Sequence, residues 1–217
     1  MSIKKTHIAN IRREYSGCAL SEQKVLASPF EQFDAWLQEV LQTDLPDPTA
    51  MTLASVDPHG IPDLRVVLLK DVKENRFIFY TNYLSTKGMQ LAAHPYAALN
   101  FYWPLLHRQV RIRGKIEKVS ADLSDQYFAS RPKMSQLSAI ASKQSSVIAS
   151  RATLENRMRE IRAFYEHKPI ERPAYWGGYG LTPFEFEFWQ GRDNRLHDRV
   201  RYRMQAGDSW CIERLAP

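Results

Sequence analysis

Between residues 108 and 119 the polarity of the chain changes with a period of two. Val110, Ile112 and Ile116 fall on one face of an extended strand, and Gln109, Arg111, Arg113, Lys115 and Glu117 fall on the other. A strand of this kind has one side in a core and one in water, which is the habit of antiparallel sheets. Upstream, residues 50–56, 64–72, 77–81 and 97–103 also read as strands. The turns at 57–60 (Asp57, Pro58, His59, Gly60) and 73–75 (Lys73, Glu74, Asn75) are short enough to join antiparallel neighbours. Helical signals surround this run. Ser28 is a candidate N-cap, Pro29 suits a first turn, and Phe33, Trp36, Leu37, Val40 and Leu41 keep helical spacing up to the stop at Pro46 and Pro48. Further helices are predicted at 121–130, 135–142 and 149–167, broken by Pro132 and Pro169. The last fifty residues predict a turn at Trp176, Gly177 and Gly178, a strand at 184–190, a polar loop through Asn194, and strands at 195–204 and 210–214. The expectation is a mainly β fold with flanking helices (α+β), a closed or nearly closed antiparallel barrel, formed by a single domain at 29–217 behind a polar arm at 1–28.

A formal charge of +6, from 30 Lys and Arg against 24 Asp and Glu, favours anionic partners. The basic residues are dispersed, with neither a block of like charge nor a nucleic-acid motif, which points to small phosphorylated ligands and not to nucleic acid. No apolar run has the length of a membrane span and residues 1–10 lack a signal-peptide core, so the expected location is the cytoplasm, with no membrane partner. Cys18 and Cys211 have no ligand-like spacing and read as free thiols, and no metal site is expected.

The densest chemical cluster is RLHDR at 195–199. On a strand it would put Arg195, His197 and Arg199 on one face, either as an anion site or as a solvated face paired with glutamates. Trp189 offers a flat apolar surface nearby. In RVVLLK at 65–70, Arg65 and Lys70 are an odd number of residues apart, so a regular strand would point them to opposite faces and allow two different anions. Ser85, Thr86 and Lys87 open a helical run, either as an ordinary cap or as a phosphate-binding helix start. Tyr127 and Arg131 share a helical face, with Ser135 following after Pro132, as a phosphate clamp or as plain surface. Neither GxGxxG nor a P-loop occurs, which disfavours a dinucleotide Rossmann site and an NTPase.

Taken together, EFWQ at 187–190, four further residues and then RLHDR resemble the C-terminal signature of the pyridoxine 5'-phosphate oxidase family. The resemblance extends through RREY at 12–15, DPTAM at 47–51, RVVLLK at 65–70, FYTN at 79–82, RQV at 108–110, SRP at 130–132, SKQSS at 142–146 and the final ERLAP. It implies an FMN-binding split β-barrel of antiparallel Greek-key type that works as a homodimer. By the matching motifs, FMN contacts would be Arg65, Lys70, Tyr80, Thr81, Lys87, Gln109, Gln144, Ser145, Trp189 and Arg199. At position 86 the family often has a basic residue. Thr86 stands there, so that phosphate contact would be weaker or made by a hydroxyl. Substrate phosphate would fall to Lys70, Tyr127, Arg131 and Ser135, with Arg195 and His197 as catalytic residues over the pyridine ring and Arg12 and Tyr15 closing above it.

The implied reaction is oxidation of pyridoxine and pyridoxamine 5'-phosphate to pyridoxal 5'-phosphate, with oxygen as acceptor and hydrogen peroxide as by-product. A split-barrel flavin-binding protein without vitamin B6 oxidase activity is the alternative. A second phosphate clamp, Tyr127 with Arg131, counts against it.

Overall fold

The computed structural model describes Tyr15 and residues 19–217; Arg12 and Cys18 lie outside the described residues. Contacts group the chain into two compact units, one of Met1–Pro48, Phe101–Arg111 and Glu185–Pro217, the other of Thr49–Asn100 and Ile112–Phe184.

In the first unit, α1 (Pro29–Leu41) begins as the sequence predicts, with the Ser28 side chain accepting from the Glu31 N–H and Pro29 in the first turn. Its buried stripe packs Phe33 on Phe101, ring centroids 5.0 Å apart, and Trp36 on Phe188 at 5.2 Å. The strands β8 (Asp198–Met204) and β9 (Trp210–Leu215) form an antiparallel pair, and β8 pairs along residues 185–190 of β7 (Trp176–Gln190).

The second unit holds strand residues in the order β2-β1-β5-β6-β7-β4-β3. These are β1 (Ala50–Val56), β2 (Pro62–Leu68), β3 (Asp71–Lys73), β4 (Arg76–Asn82), β5 (Tyr96–Trp103) and β6 (Arg108–Lys118), together with β7. Both short turns make the hairpins expected of them, since β1 pairs with β2 and β3 with β4. Along β6, Val110, Ile112 and Ile116 are buried while Arg111, Arg113, Lys115 and Glu117 are exposed, as the alternation predicts. The helices are α2 (Thr86–Ala93), α3 (Ala121–Ser130), α4 (Lys133–Ala141) and α5 (Arg151–Phe164). Leu137 and Ala141 of α4 pack with Ile161 of α5 in a small core of their own.

Three sequence expectations are corrected. The strand expected at 64–72 is two strands: the Leu69 N–H donates to the Thr49 carbonyl and the Lys70 N–H to the Ile78 carbonyl, both at 2.9 Å. The backbone changes partner between those residues, and the alternation of faces restarts there. Trp176, Gly177 and Gly178 are not a turn but the start of β7, paired with Asn82, Thr81 and Tyr80 of β4. These glycines serve close approach: a Cβ on Gly177 would lie 2.1 Å from the Tyr83 hydroxyl, and one on Gly178 would lie 2.6 Å from Val119 Cγ2. Finally, the strand expected at 195–204 begins only at Asp198, because Asp193–Arg195 form a 3₁₀ turn with Asn194 and Arg195 in the left-handed region (φ 54° and 61°). An extended strand cannot pass through such residues. Arg195, His197 and Arg199 therefore do not share a strand face.

Candidate active site

The second unit contains a cavity of about 840 Å³, within the size range of small-molecule sites. Arg65 from β2, Lys70 from the corner after it, Tyr80 and Thr81 from β4, and Lys87 from α2 line it, with Tyr127, Arg131, Ser135, Gln144 and Trp176. Arg65 and Lys70 thus meet one cavity and not two faces, a correction that follows from the partner change at Leu69 and Lys70.

Each cation is held differently. The Arg65 guanidinium donates to the Ser55 hydroxyl, the Asp63 carboxylate and, at 3.0 Å, the Gln90 amide oxygen. Gln90 in turn donates to Asp63 at 3.1 Å, and this bond leads the causes that lower the Asp63 pKa. Lys87 is 8% exposed and reaches the Gln144 amide oxygen at 3.3 Å and the Ser85 hydroxyl at 3.5 Å. Burial, and then the charge of Arg65, lower its pKa. Thr81 also donates to Gln144, at 3.3 Å. Lys70 is exposed at the rim.

Aromatic rings form the wall opposite these charges in character. Tyr80 stacks on Tyr127 with centroids 3.8 Å apart and planes 12° apart, and on Trp176 at 5.6 Å. Burial, followed by the charge of Tyr127, pushes the Tyr80 hydroxyl up to about 12, so it stays a phenol and a hydrogen-bond donor at neutral pH. The Arg131 guanidinium lies 4.6 Å over the Trp176 ring, and its Nη1 is buried with no hydrogen-bond partner among the described residues. A buried N–H of a charged group without an acceptor costs several times what an ordinary hydrogen bond contributes. Such a group suits an anion.

The Ser85–Lys87 segment makes the ordinary cap that is one of its two sequence readings. Ser85 is the N-cap of α2, accepting from the Gly88 N–H at 3.3 Å, while Lys87 lines the cavity. Thr86 and Ser145 do not line it. They border a neighbouring cavity of about 540 Å³, which Gln144 also borders.

In the first unit, Trp189 of β7 pairs with Arg199 of β8. The His197 ring is 4.8 Å from Trp189 and 5.6 Å from Tyr15, and Tyr15 is also 5.8 Å from Trp189. His197 Nδ1 accepts from the Arg192 backbone N–H at 3.1 Å, which places the proton of the neutral imidazole on Nε2. Arg195 is exposed on its left-handed turn, and Gln109 is half-buried on β6. Arg199 donates from Nε to Glu187 and from Nη1 to the Ala216 carbonyl, both at 2.8 Å.

Residues 37–165 match the sequence profile described as pyridoxamine 5'-phosphate oxidase, and residues 176–217 match the pyridoxine 5'-phosphate oxidase C-terminal dimerisation region. The chain belongs to the pyridoxine/pyridoxamine 5'-phosphate oxidase family. It is 52% identical over 210 residues to a pyridoxine/pyridoxamine 5'-phosphate oxidase of Legionella pneumophila strain Paris, covering 97% of each chain. It is 53% identical over 214 residues to one of Burkholderia ambifaria, covering 98% of this chain and 100% of the relative. Among solved structures it is similar to PhzG from Burkholderia lata 383 in complex with tetrahydrophenazine-1-carboxylic acid. That likeness has a TM-score of 0.87 and 26% identity, over 94% of this chain and 100% of that one. A pyridoxamine 5'-phosphate oxidase-related, FMN-binding protein of Nostoc punctiforme matches with a TM-score of 0.70 at 20% identity, over 88% and 98%, and shows the same fold. The fold is thus the mainly β split barrel with flanking helices expected for this family.

Three residues of the two sites had no role in the sequence reading. Trp176 lines the cavity beneath Arg131, and its position before two glycines suggested a turn instead. Gln90 and Glu187 hold Arg65 and Arg199 from other elements. Glu187 stands in EFWQ, yet no local pattern pairs it or Gln90 with its arginine, because each contact joins two separate elements.

Proposed function

We propose that the protein is an FMN-dependent oxidase that converts pyridoxine and pyridoxamine 5'-phosphate to pyridoxal 5'-phosphate, with oxygen as acceptor, giving hydrogen peroxide and, from the amine, ammonia. The observation that carries this reading is the second-unit cavity, which Arg131, with a buried N–H that has no partner among the described residues, lines together with Lys70, Lys87 and Arg65. Two phosphate groups, one of a cofactor and one of a substrate, match four cationic side chains better than one does. Arg65, Lys70, Tyr80, Thr81, Lys87 and Gln144 would hold FMN, while Lys70, Tyr127, Arg131 and Ser135 would hold substrate phosphate. Thr86, Ser145, Gln109, Trp189 and Arg199 complete the proposed cofactor set.

FMN, when bound, supplies the hydride acceptor. The chain's own work is binding and orientation. Phosphate contacts far from the reacting carbon fix the substrate, so that donor and acceptor start close together. His197 offers Nε2–H as a hydrogen-bond donor to the substrate ring, since Nδ1 is taken by the Arg192 N–H. Arg195, exposed on its turn, can come over a bound ring and stabilise negative charge on substrate oxygen. Tyr15, already edge-on to His197 and Trp189, would cover that ring together with Arg12. The match of residues 176–217 to a dimerisation region supports a homodimer.

The test is an absorbance spectrum of the purified protein followed by a peroxide assay with pyridoxine 5'-phosphate. A protein that takes up no flavin refutes the cofactor. A yellow protein that releases no peroxide refutes the reaction and leaves the flavin-binding alternative.

A further inference from the structure

Glu187, the first residue of the EFWQ motif, lines neither cavity and holds Arg199 from the neighbouring strand. It is 7% exposed and lies two residues before Trp189, on the same face of β7. Oε1 accepts from Arg199 Nε at 2.8 Å, and Oε2 accepts from Arg111 Nη1 at 2.9 Å. The carboxylate thus bridges a guanidinium on β6 and one on β8. With Nη1 of Arg199 given to the Ala216 carbonyl, two of its three nitrogens are fixed, and Nη2 has no partner among the described residues. A planar group held at two edges presents the third in one direction. The other arginines of β8 differ: Arg201 and Arg203 both pair with Glu213, and Arg201 does so through two nitrogens.

We infer that Glu187 is a positioning residue, which aims Nη2 of Arg199 at the bound cofactor with Arg111 as the counter-anchor. The inference rests on the reading of Arg199 as an FMN contact. Its sign distinguishes it from a plain charge effect. Removing one negative charge beside two arginines raises the local positive potential and should tighten a phosphorylated flavin. Losing the clamp should weaken it, because Arg199 must then be ordered when FMN binds.

The experiment follows FMN release on dilution of the full-length holoprotein, read as recovered flavin fluorescence, for wild type, Glu187→Gln, Arg199→Ala and the double variant. Glu187→Gln should weaken retention about fivefold, the order of immobilising one flexible side chain. In the Arg199→Ala background the same change should add nothing, a non-additivity that general loss of stability does not produce. Unchanged or tighter retention in Glu187→Gln overturns the inference, as does a fivefold loss that persists without Arg199. If Arg199→Ala itself retains FMN like wild type, the reading of Arg199 falls, and the inference with it. Should Glu187→Gln fail to fold, Arg111→Met removes only the half-exposed anchor. A loss of about twofold or more that disappears in the Arg199→Ala background then supports the clamp, whereas unchanged retention, or a loss that persists without Arg199 as a plain charge effect would, overturns it.

Discussion

Replacing Arg131 with Met would test the phosphate reading at the residue that most demands it. Met keeps an unbranched stem of similar length and removes the charge. In the free protein the change removes a buried donor that has no acceptor, which relieves about 1–3 kcal/mol. Against this stands the loss of a guanidinium 4.6 Å from the Trp176 ring, worth about 0.5–2 kcal/mol. The two nearly cancel, so the thermal midpoint should stay within a few degrees of wild type or rise. Substrate binding has no such compensation. Charge-assisted bonds to a phosphate contribute about 1.5–3 kcal/mol, which corresponds to a loss of about tenfold to a hundredfold in kcat/KM for pyridoxine 5'-phosphate. Most of it should appear in KM, because the phosphate is bound alike in ground and transition states. The assay is steady-state peroxide release at saturating FMN, with unphosphorylated pyridoxine as control substrate. If kcat/KM falls equally for both substrates, or falls only alongside the thermal midpoint, Arg131 is structural and the argument from its unpartnered N–H is wrong.

Other predictions follow from the same geometry. Burial lowers the Lys87 pKa, and a bound phosphate would raise it again, so binding should take up a proton between the two values. FMN affinity should therefore decline as pH rises through the lowered pKa, a step in the titration that Lys87→Met removes. Gly177→Ala forces a Cβ within 2.1 Å of the Tyr83 hydroxyl, and denaturant unfolding should show a loss of roughly 1–3 kcal/mol; full stability would mean that Tyr83 moves freely. Arg195→Leu and His197→Ala should reduce turnover while the protein stays yellow, and near-wild-type kinetics in both would remove them from the site. Light scattering at micromolar concentration should give the mass of a dimer, and an active monomer would contradict the proposed assembly.

Features set by near neighbours in the chain are legible in the sequence. The alternation in β6 and the Ser28 and Pro29 start of α1 depend on neighbours a few residues away, and both stand as expected. The glycines at 177 and 178 misled, because a glycine needed for close approach looks in sequence like a glycine needed for a turn. Among candidate site residues, Tyr127 and Arg131 share a helical face and Ser135 follows after Pro132, and all three line one cavity. Arg195, His197 and Arg199 share no strand face, since a left-handed turn at 194–195 interrupts the extended chain before Asp198.

The sequence by itself determined the strand-rich class, the helix starts and the inventory of cations and rings, because hydrophobic period, capping and charge are properties of adjacent residues. Only the tertiary structure decided which of those groups meet. Arg65 and Lys70 share a cavity because the backbone leaves β1 for β4 between Leu69 and Lys70, a change of hydrogen-bond partner that no run of side chains announces. Whether Arg131 would be satisfied, or left with a buried N–H, depended on Trp176 arriving from a strand 45 positions later, and long-range packing of that kind has no local signature.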